Sequence, residues 1–163
     1  MKGNRFKTQL VVVFFVIAAL MKFSSLNMSS QPIKTEKKNK CACTLNCMDW
    51  KVQDPVVNRT KKECHVDGVD VITQAGIVKV LAENKNKTLV ENFRDELEIS
   101  VKKHGTKKVS IAAHEDCVGN PVTKDQQLKD LRSAKKTVES WHLGVEVILL
   151  WVDSPFEKAE VVE

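Results

Sequence analysis

The sequence predicts an α/β fold, a mostly parallel β-sheet of about four strands flanked by helices. From Lys40 onward, short segments rich in β-branched residues alternate with segments of helical periodicity, which is typical of a parallel sheet with crossover helices. The segment "KVSIAA" (Lys108–Ala113) is apolar enough to be covered on both faces. Two Thr-x-x-Glu/Gln capping boxes mark helix starts. The 163 residues are sufficient for one domain with its own core.

Four segments are predicted as strands because they are short, apolar or β-branched, and bounded by polar residues or glycine. They are "CACTLNC" (Cys41–Cys47), "VDVIT" (Val69–Thr73), "KVSIAA" (Lys108–Ala113) and "VEVILLWV" (Val145–Val152). Between the first two, the polar segment 48–63 is interrupted by Pro55, and it predicts a loop with a short helix at most.

Three helical segments separate the later strands. "IVKVLAE" after Gly76 predicts one or two turns. The capping box Thr88-x-x-Glu91 predicts the start of an amphipathic helix that ends near His104 and Gly105. Its inward face repeats every four residues: Leu89, Phe93, Leu97 and Val101.

The second capping box, Thr123-x-x-Gln126, predicts the start of the last helix, and Gly144 predicts its end. The apolar residues of this helix recur on one face: Leu128, Leu131, Ala134, Val138 and Trp141.

The N-terminal segment differs in kind from the rest. Lys2, Arg5 and Lys7 precede an uninterrupted apolar run of twelve residues, 10–21, which would span about 18 Å as a helix, less than the ~30 Å hydrocarbon core of a bilayer. A basic flank and a short apolar run are typical of an export signal, but no clear cleavage site follows. We therefore expect residues 1–38 to be a signal peptide, or a membrane anchor formed by residues 10–21, plus a basic linker. If Met28 is the true start, the protein is cytoplasmic.

For the predicted domain, residues 39–163, composition argues against nucleic-acid binding, and the motifs that are absent argue against several classes of enzyme. The net charge is modest at +5, and the local lysine run 34–40 has no aromatic residues, so it indicates a solvated linker rather than a nucleic-acid-binding surface. The sequence has no internal repeat, no glycine-rich phosphate loop and no Ser-His-Asp pattern.

Five cysteines are an odd number, unevenly spaced, so a disulfide framework fits poorly and metal ligation by a subset fits better. Cys47 ends the first predicted strand, and His114 and Cys117 follow the third. Ligands gather beyond the carboxyl ends of parallel strands, so these three side chains meet if the two strands are neighbours. Two cysteines and one histidine are suitable zinc ligands that leave a fourth position open.

Two motifs resemble those of the β-class carbonic anhydrases. "CMDWK" (47–51) is similar to their C-x-D-x-R motif, and "HEDC" (114–117) is similar to their H-x-x-C motif, with Gly119 near the glycine that follows it. The segment "DVITQAGIVKVL" (70–81) resembles their second-strand region. The resemblance extends over about 41–153 and is nearest to short, divergent members of the family.

The resemblance implies a zinc lyase that reversibly hydrates CO₂ to bicarbonate. Cys47, His114 and Cys117 would hold Zn²⁺, and a zinc-bound hydroxide would attack CO₂. Asp49 takes the place of the motif aspartate. In the family this aspartate pairs with the motif arginine and accepts a hydrogen bond from the zinc-bound hydroxide. The family usually dimerises, so a homodimer is expected.

The sequence departs from the motif at Lys51, where the family has arginine. Lysine can neutralise Asp49 but lacks the planar fork that grips both carboxylate oxygens, so Asp49 would be freer to swing onto the metal. Trp50 is expected to crowd the site. A second hypothesis is therefore a zinc-binding structural or binding module without catalysis.

A third and weaker hypothesis is a thiol redox protein using Cys41, Cys43 or Cys47, which lack C-x-x-C spacing. Cys41 and Cys43 are expected to pack against the sheet. The neighbouring pair Cys64 and His65 is a weak metal candidate, since such pairs are common by chance. His104 and His142 are expected at the surface or at helix ends.

Overall fold

A computed structural model describes residues 40–163. The predicted signal or anchor segment and the linker lie outside this range. No helix among residues 40–163 is long and apolar enough to cross a membrane.

The described chain forms one five-stranded sheet flanked by helices, which confirms the predicted α/β class. The strands are β1 (Cys41–Asn46), β2 (Gly68–Thr73), β3 (Lys108–His114), β4 (Glu146–Val152) and β5 (Ala159–Val162). Their order across the sheet is β2-β1-β3-β4-β5. The first four are parallel neighbours, and β5 pairs antiparallel with β4. The fifth strand was not predicted, because its few residues show no strict alternation of apolar and polar residues.

The loop predicted after the first strand is wrong: Trp50–Cys64 forms a fifteen-residue helix, α1. Pro55 lies inside it, where a proline costs about 3 kcal/mol. Val52 and Val56 lie one turn apart on the face that packs on the sheet and are fully buried. Burial of each stabilises the fold by about 1.5–3 kcal/mol, which offsets the cost of the proline.

The other helices are α2 (Ile77–Glu83), α3 (Lys87–Ile99) and α4 (Lys124–Glu139). A π-helical turn, Ser100–His104, continues α3, so this segment ends where predicted. The cap of α3 is Asn86, which accepts from the amide of Leu89, rather than the predicted Thr88. The predicted cap of α4 is confirmed: the Thr123 hydroxyl accepts from the amide of Gln126.

The helices cover the sheet unevenly, and each face has its own apolar cluster. Helices α2, α3 and α4 pack on one face through residues that include Leu81, Leu97 and Leu131. On the other face α1 packs against Leu150 and Val152 of β4. The candidate metal ligands described below lie at the carboxyl ends of β1 and β3, and two of them belong to the second cluster.

Candidate metal centre

Three potential metal ligands converge at one edge of the sheet. β1 and β3 are parallel neighbours, so Cys47, immediately after β1, lies beside His114, the last residue of β3. Cys117 follows three residues later, and its Sγ lies 3.8 Å from the Sγ of Cys47. One donor atom from each of the three residues lies within 4.8 Å of the others, and all three side chains are buried.

The ring of His114 is oriented as a metal ligand would be. Its Nδ1 lies 2.7 Å from the backbone oxygen of Glu115, which leaves Nε2 for a metal. Nε2 is buried and has no hydrogen-bond partner among residues 40–163. A buried nitrogen without a partner destabilises a fold unless something binds it. Two thiols and one such nitrogen are a donor set that fits Zn²⁺.

The two thiols share their protons unequally. A hydrogen bond from Cys117 lowers the pKa of the Cys47 thiol well below its usual value, although burial opposes this. The same contact raises the pKa of Cys117, and burial adds to that increase. Burial lowers the pKa of His114, but the nearby Cys47 sulfur and the hydrogen bond with the Glu115 backbone oxygen outweigh burial and raise this pKa overall. The pair therefore holds one thiolate readily, and a cation is needed to hold two.

Asp49 is the N-cap of α1. Its Oδ1 accepts from the amide of Lys51 at 3.0 Å, and its Oδ2 lies 3.5 Å from the Lys51 Nζ. Both carboxylate oxygens are therefore engaged, and Asp49 is not among the converging donor atoms. On the sequence alone, Asp49 was expected to be free to swing onto the metal. The helix cap restrains the carboxylate instead.

Lys51 has a second contact that the sequence did not indicate. Its Nζ lies 4.3 Å from the ring centroid of Phe156, a cation–π distance. The same ring meets that of His114 edge-on, with centroids 6.4 Å apart. Phe156 thus links Lys51 to a candidate metal ligand. Trp50, which was expected to crowd the site, is 83% exposed.

Two glutamines that sequence reasoning missed hold the backbone of the site. The Nε2 of Gln53 donates to the carbonyl oxygens of Cys47 and Asp49 at 2.8 and 2.7 Å. The buried Gln127 donates to the carbonyl oxygen of His114 at 2.9 Å. Had segment 48–63 been predicted as helical, Gln53 would have been identifiable on the first turn of α1.

Two loops at the site contact each other through glycines, Gly76 and Gly119. A Cβ added to Gly76 would lie 2.3 Å from the carbonyl oxygen of Gly119, closer than any side chain tolerates. Gly76 also has a φ of +59°, which favours glycine. The contact holds the loop that carries Cys117 against the loop after β2.

A cavity of about 740 Å³ lies beside Cys117, one of the three candidate ligands. Its lining includes Cys117 and Trp151 at its inner side and Val118, Val122 and Lys124. Val118 is almost fully exposed, so the cavity is open to solvent. A small molecule can reach Cys117 through it.

The family model described as "Putative carbonic anhydrase" matches residues 37–162. The chain belongs to this family. Among solved structures, it is similar to β-carbonic anhydrase isoform I of the protozoan Trichomonas vaginalis, with 15% identity, a TM-score of 0.50 and coverage of 91% of this chain and 96% of that one. It is also similar to carbonic anhydrase from Streptococcus mutans, with 13% identity, a TM-score of 0.50 and complete coverage of both chains. At these identities the structures support the fold alone. No curated protein matches the chain.

Proposed function

We propose that this carbonic anhydrase family member is a zinc lyase that interconverts CO₂ and bicarbonate, with Cys47, His114 and Cys117 as the zinc ligands. The observation that supports it most is the convergence of two thiols on a buried imidazole nitrogen that has no partner within residues 40–163. When bound there, zinc supplies a Lewis acid that makes water nucleophilic near neutral pH.

The protein's own residues prepare the site for such a reaction. Asp49 presents its carboxylate at the start of α1, where Oδ2 is the oxygen less firmly held and can accept a hydrogen bond from water. Lys51 helps to align the Asp49 carboxylate, and Phe156 limits where the lysine ammonium lies. The open cavity admits CO₂ and releases bicarbonate.

Two measurements test this proposal. Purified full-length protein should bind zinc in a manner that depends on Cys117, and the zinc-loaded protein should hydrate CO₂ in a stopped-flow pH-indicator assay. Cys117→Ser should lose one zinc ion per chain and all CO₂ hydration, whereas Cys43→Ser, which changes a buried thiol outside the Cys47–His114–Cys117 cluster, should retain both if it folds. Zinc loading without CO₂ hydration would contradict the proposed activity.

A zinc-binding module without catalysis remains the second candidate, and one observation favours it. The Lys51 Nζ is 3.5 Å from Asp49 and is partly exposed, so this pair is a weaker clamp than a bidentate arginine would be. Full zinc loading of the wild type with no CO₂ hydration would support this second function.

Two further expectations depend on parts of the chain or on assemblies that residues 40–163 do not describe. We propose that the apolar run 10–21 exports or anchors the protein, which membrane fractionation with and without residues 1–27 would test. We also propose a homodimer, which sedimentation of the purified chain would test.

A further inference from the structure

A second cluster of metal-ligating side chains lies near the amino end of the sheet. One donor atom each from Cys41, Asp70 and His104 lies within 4.8 Å of the others. Cys41 begins β1, and Cys47 follows the end of the same strand. Six residues of strand span roughly 20 Å, so the two clusters are separate sites.

Strand register explains how two of the donors meet. Cys41 and Cys43 lie on the same face of β1, since side chains alternate along a strand. Asp70 of β2 is the register partner of Cys43, so its carboxylate lies on that face. Asp70 is two residues further along the sheet than the position opposite Cys41.

The π-helical turn after α3 supplies the third donor. Its first and last residues both reach the Oδ2 of Asp70: Ser100 Oγ at 2.6 Å and His104 Nδ1 at 2.7 Å. Ser100 is also hydrogen bonded to Thr106 at 2.7 Å. Such π-turns occur frequently at functional sites. The carboxylate is thus held by a hydroxyl whose own position is fixed, as carboxylate ligands commonly are.

The cluster opens into a cavity of about 440 Å³, lined in part by Cys41 and His104. His104 is about half exposed, so a cation and its water can reach the donors. Lys40, Lys107 and Lys108 also line the cavity and oppose a cation. Their effect is reduced because His104 is exposed and solvent reaches the cluster, where it weakens the interaction between charges. Lys108 is also paired with Glu146 at 3.2 Å.

A structural ion pair between Asp70 and His104 accounts for those two residues without a metal, but it does not account for the thiol beside them. Cysteine, histidine and aspartate together are the donor types of zinc and similar divalent ions. Donor atoms in a tetrahedral zinc site lie roughly 3.3–3.8 Å apart. The His104 Nδ1 and the Asp70 Oδ2 lie 2.7 Å apart, closer than two zinc ligands, so metal binding replaces their hydrogen bond, and the exposed His104 side chain can move to allow this.

We propose that Cys41, Asp70 and His104 form a second binding site for a divalent transition metal, with zinc as the best match, whose fourth position faces the cavity and takes water or a small anion. The site is independent of the proposed zinc centre at the other end of β1.

Zinc stoichiometry of the full-length protein tests the proposal. After equilibrium dialysis against micromolar Zn²⁺, the wild type should hold about two zinc ions per chain, and Cys41→Ala and His104→Asn about one each. The matched controls are Cys64→Ala, the other thiol that lines the cavity, and His142→Asn, an exposed histidine outside the cluster; both should hold as many as the wild type.

A chemical measurement locates the metal. Alkylation of Cys41, followed by peptide mass mapping, should slow at least ten-fold when Zn²⁺ is added to the wild type, and this protection should disappear in His104→Asn. His104 is exposed, so this variant should fold, which circular dichroism will verify.

The outcomes separate the two sites. If the wild type holds a single zinc ion that persists in Cys117→Ser but is lost in His104→Asn, the result would support this proposal and contradict the other centre. One zinc ion lost in Cys117→Ser, with unchanged alkylation of Cys41, would overturn this proposal alone. Equal stoichiometry in the wild type, Cys41→Ala and folded His104→Asn would also overturn it.

Discussion

Replacement of Lys51 by arginine should increase CO₂ hydration. Lys51 Nζ contacts a single oxygen of Asp49 at 3.5 Å, in a partly exposed pair of a kind that contributes about 0.2–1 kcal/mol. A guanidinium offers two parallel hydrogen bonds to the carboxylate and can stack on Phe156, which Lys51 already approaches to 4.3 Å.

The magnitude follows from the difference between the two contacts. If the bidentate contact adds about 0.5–1 kcal/mol of alignment in the transition state, kcat/KM should rise roughly two- to five-fold, since 1.36 kcal/mol is ten-fold in rate. The assay is stopped-flow CO₂ hydration at equal, measured zinc content. Lys51→Met, which keeps the stem without the charge, should lower the rate.

Lys62→Arg is the matched control, because it makes the same change at an exposed position on the last turn of α1. It should leave the rate unchanged. Equal activity of Lys51→Arg and wild type, both fully loaded, would refute the alignment argument, and a rise in Lys62→Arg as well would show that the effect is not local.

Three further predictions concern the supports of the site. Gln53→Ala should lower the free energy of unfolding by about 1–3 kcal/mol, measured by urea denaturation, because two partly buried carbonyl oxygens each lose a hydrogen bond. Gly76→Ala should lower the free energy of unfolding by about 1–3 kcal/mol more than Gly144→Ala, measured the same way. Both glycines have positive φ, but of the two only Gly76 would place a Cβ against backbone atoms. Mild oxidation of metal-free protein should join Cys47 to Cys117, whose sulfurs lie 3.8 Å apart, with a loss of two hydrogens by mass spectrometry that bound Zn²⁺ prevents.

Each of these has its own control. Gln126→Ala removes an exposed side-chain contact on α4 and should change stability by less than about 0.5 kcal/mol. A loss of stability in Gln126→Ala equal to that in Gln53→Ala would contradict the role given to Gln53. Equal losses in the two glycine variants would mean that backbone conformation alone, not the contact with Gly119, is responsible. Oxidation at equal rates with and without zinc would argue against ligation by Cys47 and Cys117.

The sequence predicted the α/β class because the alternation of strand and helix is a local pattern that tertiary packing did not override. β3 and α4 were recognisable for the same reason: one is continuously apolar, and the other begins with a capping box that the structure contains. The order of the strands, β2-β1-β3-β4-β5, was not predicted; the sequence indicated only that the ligands meet if the first and third strands are neighbours.

The errors have physical causes as well. Pro55 was taken to break a helix, but burial of the face formed by Val52 and Val56 outweighs its cost. Misreading α1 as a loop concealed two roles that exist only in a helix, the N-cap of Asp49 and the first-turn position of Gln53. The contact between Lys51 and Phe156 joins residues a hundred positions apart and leaves no local signal.

Asp49 caps the start of α1, and the proposed function gives the same side chain a second task as a hydrogen-bond acceptor. Replacement of Asp49 by alanine would weaken the first helical turn by about 0.5–2 kcal/mol while it removes the hydrogen-bond acceptor, and lost turnover would then have two causes. Asparagine caps helices about as well as aspartate but carries no charge. If the proposed function holds, folding and catalysis place demands on the same two oxygen atoms, and the Asn replacement can tell them apart.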